Sequence, residues 1–386
     1  MPTRAAPEES LMSLNRYVLL GRSGLRVSPI SLGTMTFGNE WGWGAARDSA
    51  RRIFDTYLDA GGNFVDSANL YTNGTSETWL GEFMKESGHR DKLVVATKYT
   101  YNADAGDPNA GGNQRKSLLR TLETSLKRLR TDYIDLYYLH TWDRMTPAEE
   151  VMRTMDDAVR AGKIRYVGLS DTPAWYAARA QTLAQWRGFE PVAAMQVEYS
   201  LIERNAELEF ADLAVELGMG LVAWSPLAMG LLSGKYKPSE AGPNAKFGEG
   251  RLQVTSAGGN PPPGFDKLGA RNFAIVAELE KVAREAGVSM AQAALNWLYG
   301  KRGMASILVG ATRPEQLTDS LGALDFSLSD EHRARLDAAS APPSPLPFPY
   351  YFYADVQQAR ITGGVEVEAH APRYAPPVVV RPAQAG

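Results

Sequence analysis

Four residue types that together can place a proton on an oxygen occur in one order along the chain. They are a carboxylate at Asp66, a phenol at Tyr71, an amine at Lys98 and an imidazole at His140. Adding a hydride to a carbonyl carbon leaves an alkoxide, and its proton donor should have a pKa not far above the working pH. A free phenol titrates at about 10, slightly too weak an acid. A nearby ammonium favours the phenolate and lowers that value. A carboxylate can hold the ammonium in place, and an imidazole can hydrogen-bond the carbonyl oxygen. No side chain donates a hydride, so such chemistry needs a cofactor. Taken singly, each residue has a plainer reading. Asp66 reads as a helix N-cap, Tyr71 as a half-buried aromatic with a wet hydroxyl, Lys98 as a solvated strand-end charge and His140 as a structural histidine.

Three of the four close an apolar run. Phe64-Val65-Asp66 follows Gly61-Gly62, which ends the helix before it. Val94-Val95-Ala96-Thr97-Lys98 and Leu136-Tyr137-Tyr138-Leu139-His140 repeat the pattern, and Tyr71 lies in the loop beyond the first run. Short continuous apolar runs read as buried strands of a parallel sheet. The C-terminal ends of such strands converge on one face when they close into a (β/α)8 barrel, and that face carries the chemistry. The rest of the chain keeps the alternation. Further strands are expected at 30–33, 164–169, 194–197, 220–224 and 306–309. Helices are expected at 48–60 with Asp48 as N-cap, 76–84, 116–130, and 147–161 with Thr146 as cap and Pro147 in the first turn. More follow at 173–186, 206–217, 270–286, 290–299 and 314–324. Eight strands alternating with helices is the count for one TIM barrel of class α/β. Ahead of it, 16–20 and 25–27 flank the turn signal Gly21-Arg22-Ser23-Gly24 and read as a β-hairpin.

The ordered words of this sequence resemble the aldo-keto reductases, NADPH-dependent carbonyl reductases on a TIM barrel. They are Asp66-Ser-Ala-Asn-Leu-Tyr71, Thr97-Lys98, Asp135-Leu-Tyr-Tyr-Leu-His140, Gly162-Lys-Ile-Arg-Tyr-Val-Gly-Leu-Ser170, Gln196-Val-Glu-Tyr199, Trp224-Ser-Pro-Leu227 and Gly310-Ala-Thr-Arg-Pro-Glu-Gln316. The resemblance runs from about Tyr17 to Asp337. It implies that Tyr71 is the general acid, that Lys98 and Asp66 tune it, and that His140 orients the carbonyl. It implies that NADP(H) lies extended across the barrel top. Cofactor contacts then fall at Gly33, Thr34, Met35 and Asp66, with Ser170, Asp171 and Gln196 at the nicotinamide amide and Tyr199 near the aromatic that stacks on the ring. Trp224, Ser225, Pro226, Leu227 and Lys235 match the pyrophosphate loop, and Gly310, Thr312, Gln316, Asp319 and Ser320 the adenosine end. No Gly-x-Gly-x-x-Gly follows a strand, so there is no Rossmann fingerprint.

The sequence departs from the family pattern at three places. Asp171 and Ser320 stand where Asn is usual, and Gln316 where some branches have Arg. The 2′-phosphate then needs other cations, and Lys235, Arg251 and Arg313 are the candidates. Trp41, Trp43, Tyr99, Tyr101 and Trp142 lie in the loops after the first, third and fourth strands, and an aromatic rim suits an apolar or aromatic aldehyde or ketone. Two other readings use the same residues. One is a nucleotide-binding regulatory subunit like the potassium-channel β subunits, which lack the strand-four histidine that His140 supplies here. The other is an isomerase or aldolase using Lys98 as a Schiff base.

Composition narrows the classes. The net charge of −3 offers no electrostatic case for nucleic acid or an anionic membrane. With no cysteine there is no disulfide and no cysteine-based metal site, and no metal is expected. No apolar run approaches the roughly 20 residues of a membrane span. The start lacks an apolar signal core, so a cytoplasmic location is expected. The domain expectation is a flexible leader over 1–15, the barrel over 16–340 and a Pro- and aromatic-rich tail over 341–386. The oligomeric state is not legible.

Overall fold

Apolar runs without alternation need cover on both faces, and a parallel sheet closed into a barrel and wrapped in helices supplies it. A computed structural model describes residues 14–236, 252, 267–342 and 363–365. A short antiparallel hairpin, β1 (Val18–Leu19) and β2 (Arg26–Val27), comes first. Eight parallel strands follow and pair in chain order. They are β3 (Ile30–Gly33), β4 (Phe64–Asp66), β5 (Val94–Tyr99), β6 (Ile134–Leu139), β7 (Ile164–Ser170), β8 (Val192–Glu198), β9 (Gly220–Trp224) and β10 (Met304–Val309). β10 pairs back onto β3, which closes the barrel. The fold is a (β/α)8 barrel.

Strand alternation decides which residues see the barrel interior. Phe64, Val94, Ala96, Leu136 and Tyr138 form an inner core with Leu20 and Val27 of the hairpin, which plugs one end. The hairpin tip seats closely on β9. A Cβ at Gly21, whose φ is +61°, would lie 2.4 Å from the Gly218 carbonyl oxygen, so only glycine fits. Two residues beyond the last inner apolar side chain of β4, β5 and β6 stand Asp66, Lys98 and His140. The same alternation that fills the lower barrel therefore delivers them to its mouth.

Ten α-helices surround the strands among the described residues: α1 (Arg47–Asp59), α2 (Thr75–Ser87), α3 (Arg115–Leu129), α4 (Ala148–Arg160), α5 (Ala174–Arg187), α6 (Phe210–Leu217), α7 (Ala270–Ala286), α8 (Met290–Tyr299), α9 (Pro314–Leu321) and α10 (Asp330–Ser340). Their apolar stripes pack on the outward strand residues, as with Leu118, Leu122 and Leu126 of α3.

Several boundaries differ from expectation for identifiable reasons. Asp48 is not a cap: Ala46 holds that position without a side-chain bond, and Asp48 sits in the first turn, where the helix dipole favours an acid. Pro147 is the N-cap of α4 rather than its first residue, and Thr146 instead donates to Asp143 Oδ2 at 2.6 Å. The expected 206–217 helix splits into a 3₁₀ turn, Asn205–Glu207, and α6. The Glu207 carboxylate at the break is held by Tyr199 and Arg204. The last expected barrel helix stops at Leu321, and a 3₁₀ turn, Gly322–Leu324, completes it. α10 was not expected; its cap is Ser329, whose hydroxyl accepts from the His332 amide. Leu14, placed in the expected leader, is buried, and its amide donates to the Ala60 carbonyl at 2.6 Å. Arg251 and nearly all of the tail lie outside the described residues. Among those described, no helix is long and apolar enough to cross a membrane, and no group of three or more His, Asp or Glu is placed to hold a metal.

Candidate active site

Asp66 and Lys98 are fully buried and form an ion pair across the neighbouring strands β4 and β5. The Lys98 ammonium also donates to the Ser67 carbonyl at 2.9 Å and to the Tyr71 hydroxyl at 3.2 Å. Its three donors are thus committed. The second Asp66 oxygen accepts from Gln196 Nε2 at 2.9 Å, across the barrel from β8. Tyr71 is 7% exposed and enters from the turn after β4. The His140 ring meets Tyr71 edge-on with centroids 5.9 Å apart, and Tyr101 meets His140 at 4.8 Å. The structure therefore brings the four sequence-derived residues together.

Burial works against the Lys98 ammonium, but the Asp66 and Tyr71 oxygens more than offset it and hold its pKa above the ordinary value. Lys98 stays charged, which leaves no free amine for a Schiff base. Burial pushes the Asp66 carboxyl up while Lys98 and Gln196 pull it back. Burial, reinforced by the Lys98 charge, holds His140 well below its usual range, so the ring is neutral. A neutral imidazole offers one donor and one acceptor.

Around this cluster the barrel mouth carries buried polar atoms without a partner among the described residues: Thr36 Oγ1, His140 Nδ1, Ser170 Oγ and Ser225 Oγ. Each follows or ends a different strand, β3, β6, β7 and β9. Buried polar groups are ordinarily hydrogen-bonded, so this ring of orphans fits a ligand rich in amide and hydroxyl groups, as a nicotinamide nucleotide is. Asp171 adopts a left-handed φ of 45° and accepts from Trp224 Nε1 at 3.0 Å. Its carboxyl is pushed up to about 7 by the protein around it, with Trp224 pulling it down and Glu198 pushing it up. Asp171 is itself exposed, so solvent screens that upward push. Asp171 and Trp224 help to line a cavity of about 440 Å³ with Trp142, Arg144, Glu198 and Phe210.

The other expected cofactor residues divide. Pro226 and Leu227 lead from β9 into a 3₁₀ turn, Ala228–Ser233. Surrounding protein and then the Arg313 charge lower the Lys235 pKa, so two cations share one region. The Thr312 amide donates to Gln316 Oε1 at 2.9 Å. At the strand ends Gly33 is buried, Met35 is partly covered and Gly310 is exposed, while the Thr34 hydroxyl is already spent on the Asp66 carbonyl at 3.0 Å. Asp319 accepts from Ser289 at 3.0 Å, which ties α9 to the cap of α8, while Ser320 donates back to the Gln316 carbonyl at 2.8 Å within α9. Tyr199 does not face the mouth. It is buried, its hydroxyl donates to Glu207 at 2.7 Å, and its ring packs on Trp297.

Of the expected aromatic rim, Trp41 and Trp43 pack on one another with centroids 5.8 Å apart. Trp142 packs on Trp175 at 5.5 Å. Tyr99 is not a rim residue. It is fully buried outside the barrel and stacks on Tyr137, because β5 runs through Tyr99 and alternation sends it opposite to Lys98. Sequence reasoning missed Trp175 and Tyr176, although an aromatic pair just after Pro173 opens the helix that follows β7 and so stands at the rim.

Comparison with known proteins bears on this geometry. The model of the aldo/keto reductase family matches residues 29–341. An aryl-alcohol dehydrogenase of Pestalotiopsis microspora is 35% identical over 332 residues, covering 84% of this chain and 82% of that protein. An NADP(+) aryl-alcohol dehydrogenase of Phanerodontia chrysosporium is 34% identical over 363 residues, 91% of each. A norsolorinic acid reductase of Aspergillus flavus is 33% identical over 368 residues, covering 93% of this chain and 89% of that protein.

Proposed function

The chain belongs to the aldo/keto reductase family, and from that premise we propose that it reduces an aryl aldehyde or ketone to the alcohol with NADPH, Tyr71 giving the proton. The observation that carries this reading is the Lys98 ammonium, fully buried and shared between Asp66 and the Tyr71 hydroxyl. When bound, NADPH supplies the hydride. Tyr71 transfers its hydroxyl proton to the carbonyl oxygen as that oxygen gains charge, and Lys98 stabilises the phenolate left behind. Asp66 and Gln196 fix Lys98 from the far side. His140, neutral, is not an acid at working pH; its one N–H donates a hydrogen bond that orients the carbonyl oxygen. The unpartnered Ser170 and Ser225 hydroxyls, with Asp171, Gln196 and Trp224, suit the nicotinamide side of the nucleotide, and Lys235 and Arg313 suit its phosphates. Trp142 and Trp175 give a substrate ring flat apolar surface, and the aryl-alcohol relatives agree with that preference.

The test is loss of NADPH absorbance with a panel of aryl and alkyl aldehydes and ketones. The reading expects turnover, faster on aryl carbonyls and slower with NADH. Nucleotide binding without turnover on any carbonyl would overturn it.

A further inference from the structure

A second polar chain runs behind the site, on the helix side of β5. Thr97, one residue before Lys98, is buried, and its hydroxyl donates to Glu77 Oε1 at 2.7 Å. Glu77 lies on α2 and is fully buried. Its other oxygen accepts from Arg128 Nη1 of α3 at 3.1 Å. The same Arg128 nitrogen donates to the Asn69 carbonyl at 3.0 Å, two residues before Tyr71. One arginine and one buried carboxylate thus join the strand that carries Lys98 to the turn that carries Tyr71.

That turn needs an external hold. After Tyr71 the chain places Thr72 at φ 46° and Asn73 at φ 56°, and Gly74 at +96°. A β-branched residue in the left-handed region is strained and persists only where its surroundings fix it. On one side Thr72 Oγ1 donates to the Phe37 carbonyl at 2.7 Å. On the other, Arg128 packs on Gly74 so closely that a Cβ there would lie 2.3 Å from the guanidinium carbon. The backbone already makes one link between turn and lysine strand, the Asn69 amide donating to the Lys98 carbonyl at 3.1 Å, and Arg128 with Glu77 adds a second, from side chains, at the Asn69 carbonyl.

We propose that Arg128 and Glu77 are positioning residues that set the Tyr71–Lys98 contact, and so tune the proton donor without touching substrate or cofactor. The proposal rests on the reading of Tyr71 as that donor. With the clamp cut, the turn relaxes, the phenol draws away from the ammonium, and its pKa rises. Reduction needs the protonated phenol. A higher pKa therefore lets activity persist further into alkali, while kcat falls because the donor is misplaced.

The experiment uses the full chain and four variants: Arg128→Met, Glu77→Gln with Arg128→Met, Thr97→Val, and Tyr71→Phe. Arg128→Met alone leaves the Glu77 charge buried without its cation and lowers the melting temperature. Adding Glu77→Gln removes that charge and returns most of the stability, yet the Asn69 carbonyl still lacks its donor. The proposal expects this double variant to bind NADPH within about threefold of wild type. It expects kcat to be lower by roughly tenfold to a hundredfold, and the alkaline limb of the kcat–pH profile to move up. Thr97→Val, which cuts the relay without touching a charge, moves the limb in the same direction. A double variant whose kcat and limb return to wild type together with its stability would overturn the proposal, as would an unmoved limb in Thr97→Val. Wild-type turnover in Tyr71→Phe would instead overturn the underlying reading of the donor.

Discussion

Replacing Lys98 with methionine removes a cation from a place that water does not reach. Lys98 and Asp66 are both fully buried. In Lys98→Met the carboxylate keeps only Gln196, at 2.9 Å. Breaking a buried pair by deleting one partner costs about 3–5 kcal/mol, because the remaining charge is left uncompensated. Protonation offers Asp66 an escape. Burial already pushes its carboxyl up, and loss of the ammonium sends it higher. A carboxyl whose folded pKa lies above its unfolded value, about 3.9, favours the folded state at low pH, and that contribution is lost as pH rises through the folded pKa. The deficit of Lys98→Met is therefore smaller at pH 5 than at pH 8, where it approaches about 3–5 kcal/mol. Adding Asp66→Asn recovers most of it, since no charge then remains. Urea unfolding followed by tryptophan fluorescence at the two pH values measures this. A deficit under about 1 kcal/mol at pH 8, the scale of a solvated pair, or one that does not shrink at pH 5, refutes the reasoning.

Surrounding protein pushes the Asp171 carboxyl up to about 7, so rising pH adds a negative charge to the nucleotide site. NADPH affinity, read from tryptophan quenching, falls between pH 6 and pH 8 in the wild type and is flat over that range in Asp171→Asn. Lys235→Ala and Arg313→Ala each weaken NADPH by roughly tenfold or more, the scale of a charged hydrogen bond, and weaken NADH less. Equal losses for the two nucleotides would place the 2′-phosphate elsewhere.

The barrel was legible because its strands are unbroken apolar runs separated by helix-length segments, and the site because three of those runs each close on one reactive side chain. Asp66, Lys98 and His140 could be placed by strand ends alone. What escaped the sequence depended on one-residue registers and on partners far along the chain. Tyr99 was misplaced because β5 is one residue longer than its apolar core suggests, and one step of alternation exchanges barrel interior for helix side. Tyr199 was misplaced because its hydroxyl is claimed by Glu207 and its ring by Trp297. Gln196 could be matched to the cofactor by resemblance, but nothing local announced its bond to Asp66, 130 residues away. The Arg128–Glu77 clamp was invisible for the same reason. Both residues read as charges on amphipathic helices, and only packing shows Glu77 to be buried.

The account stands on Tyr71 as the proton donor, and Tyr71→Phe tests it most directly. The ring remains, and only the hydroxyl beside Lys98 is lost. Steady-state reduction of an aryl aldehyde is measured beside NADPH affinity in the same preparation. The account predicts an affinity within about threefold of wild type and a kcat at least a hundredfold lower, the lower scale of general-acid help. A kcat within about tenfold of wild type would contradict it.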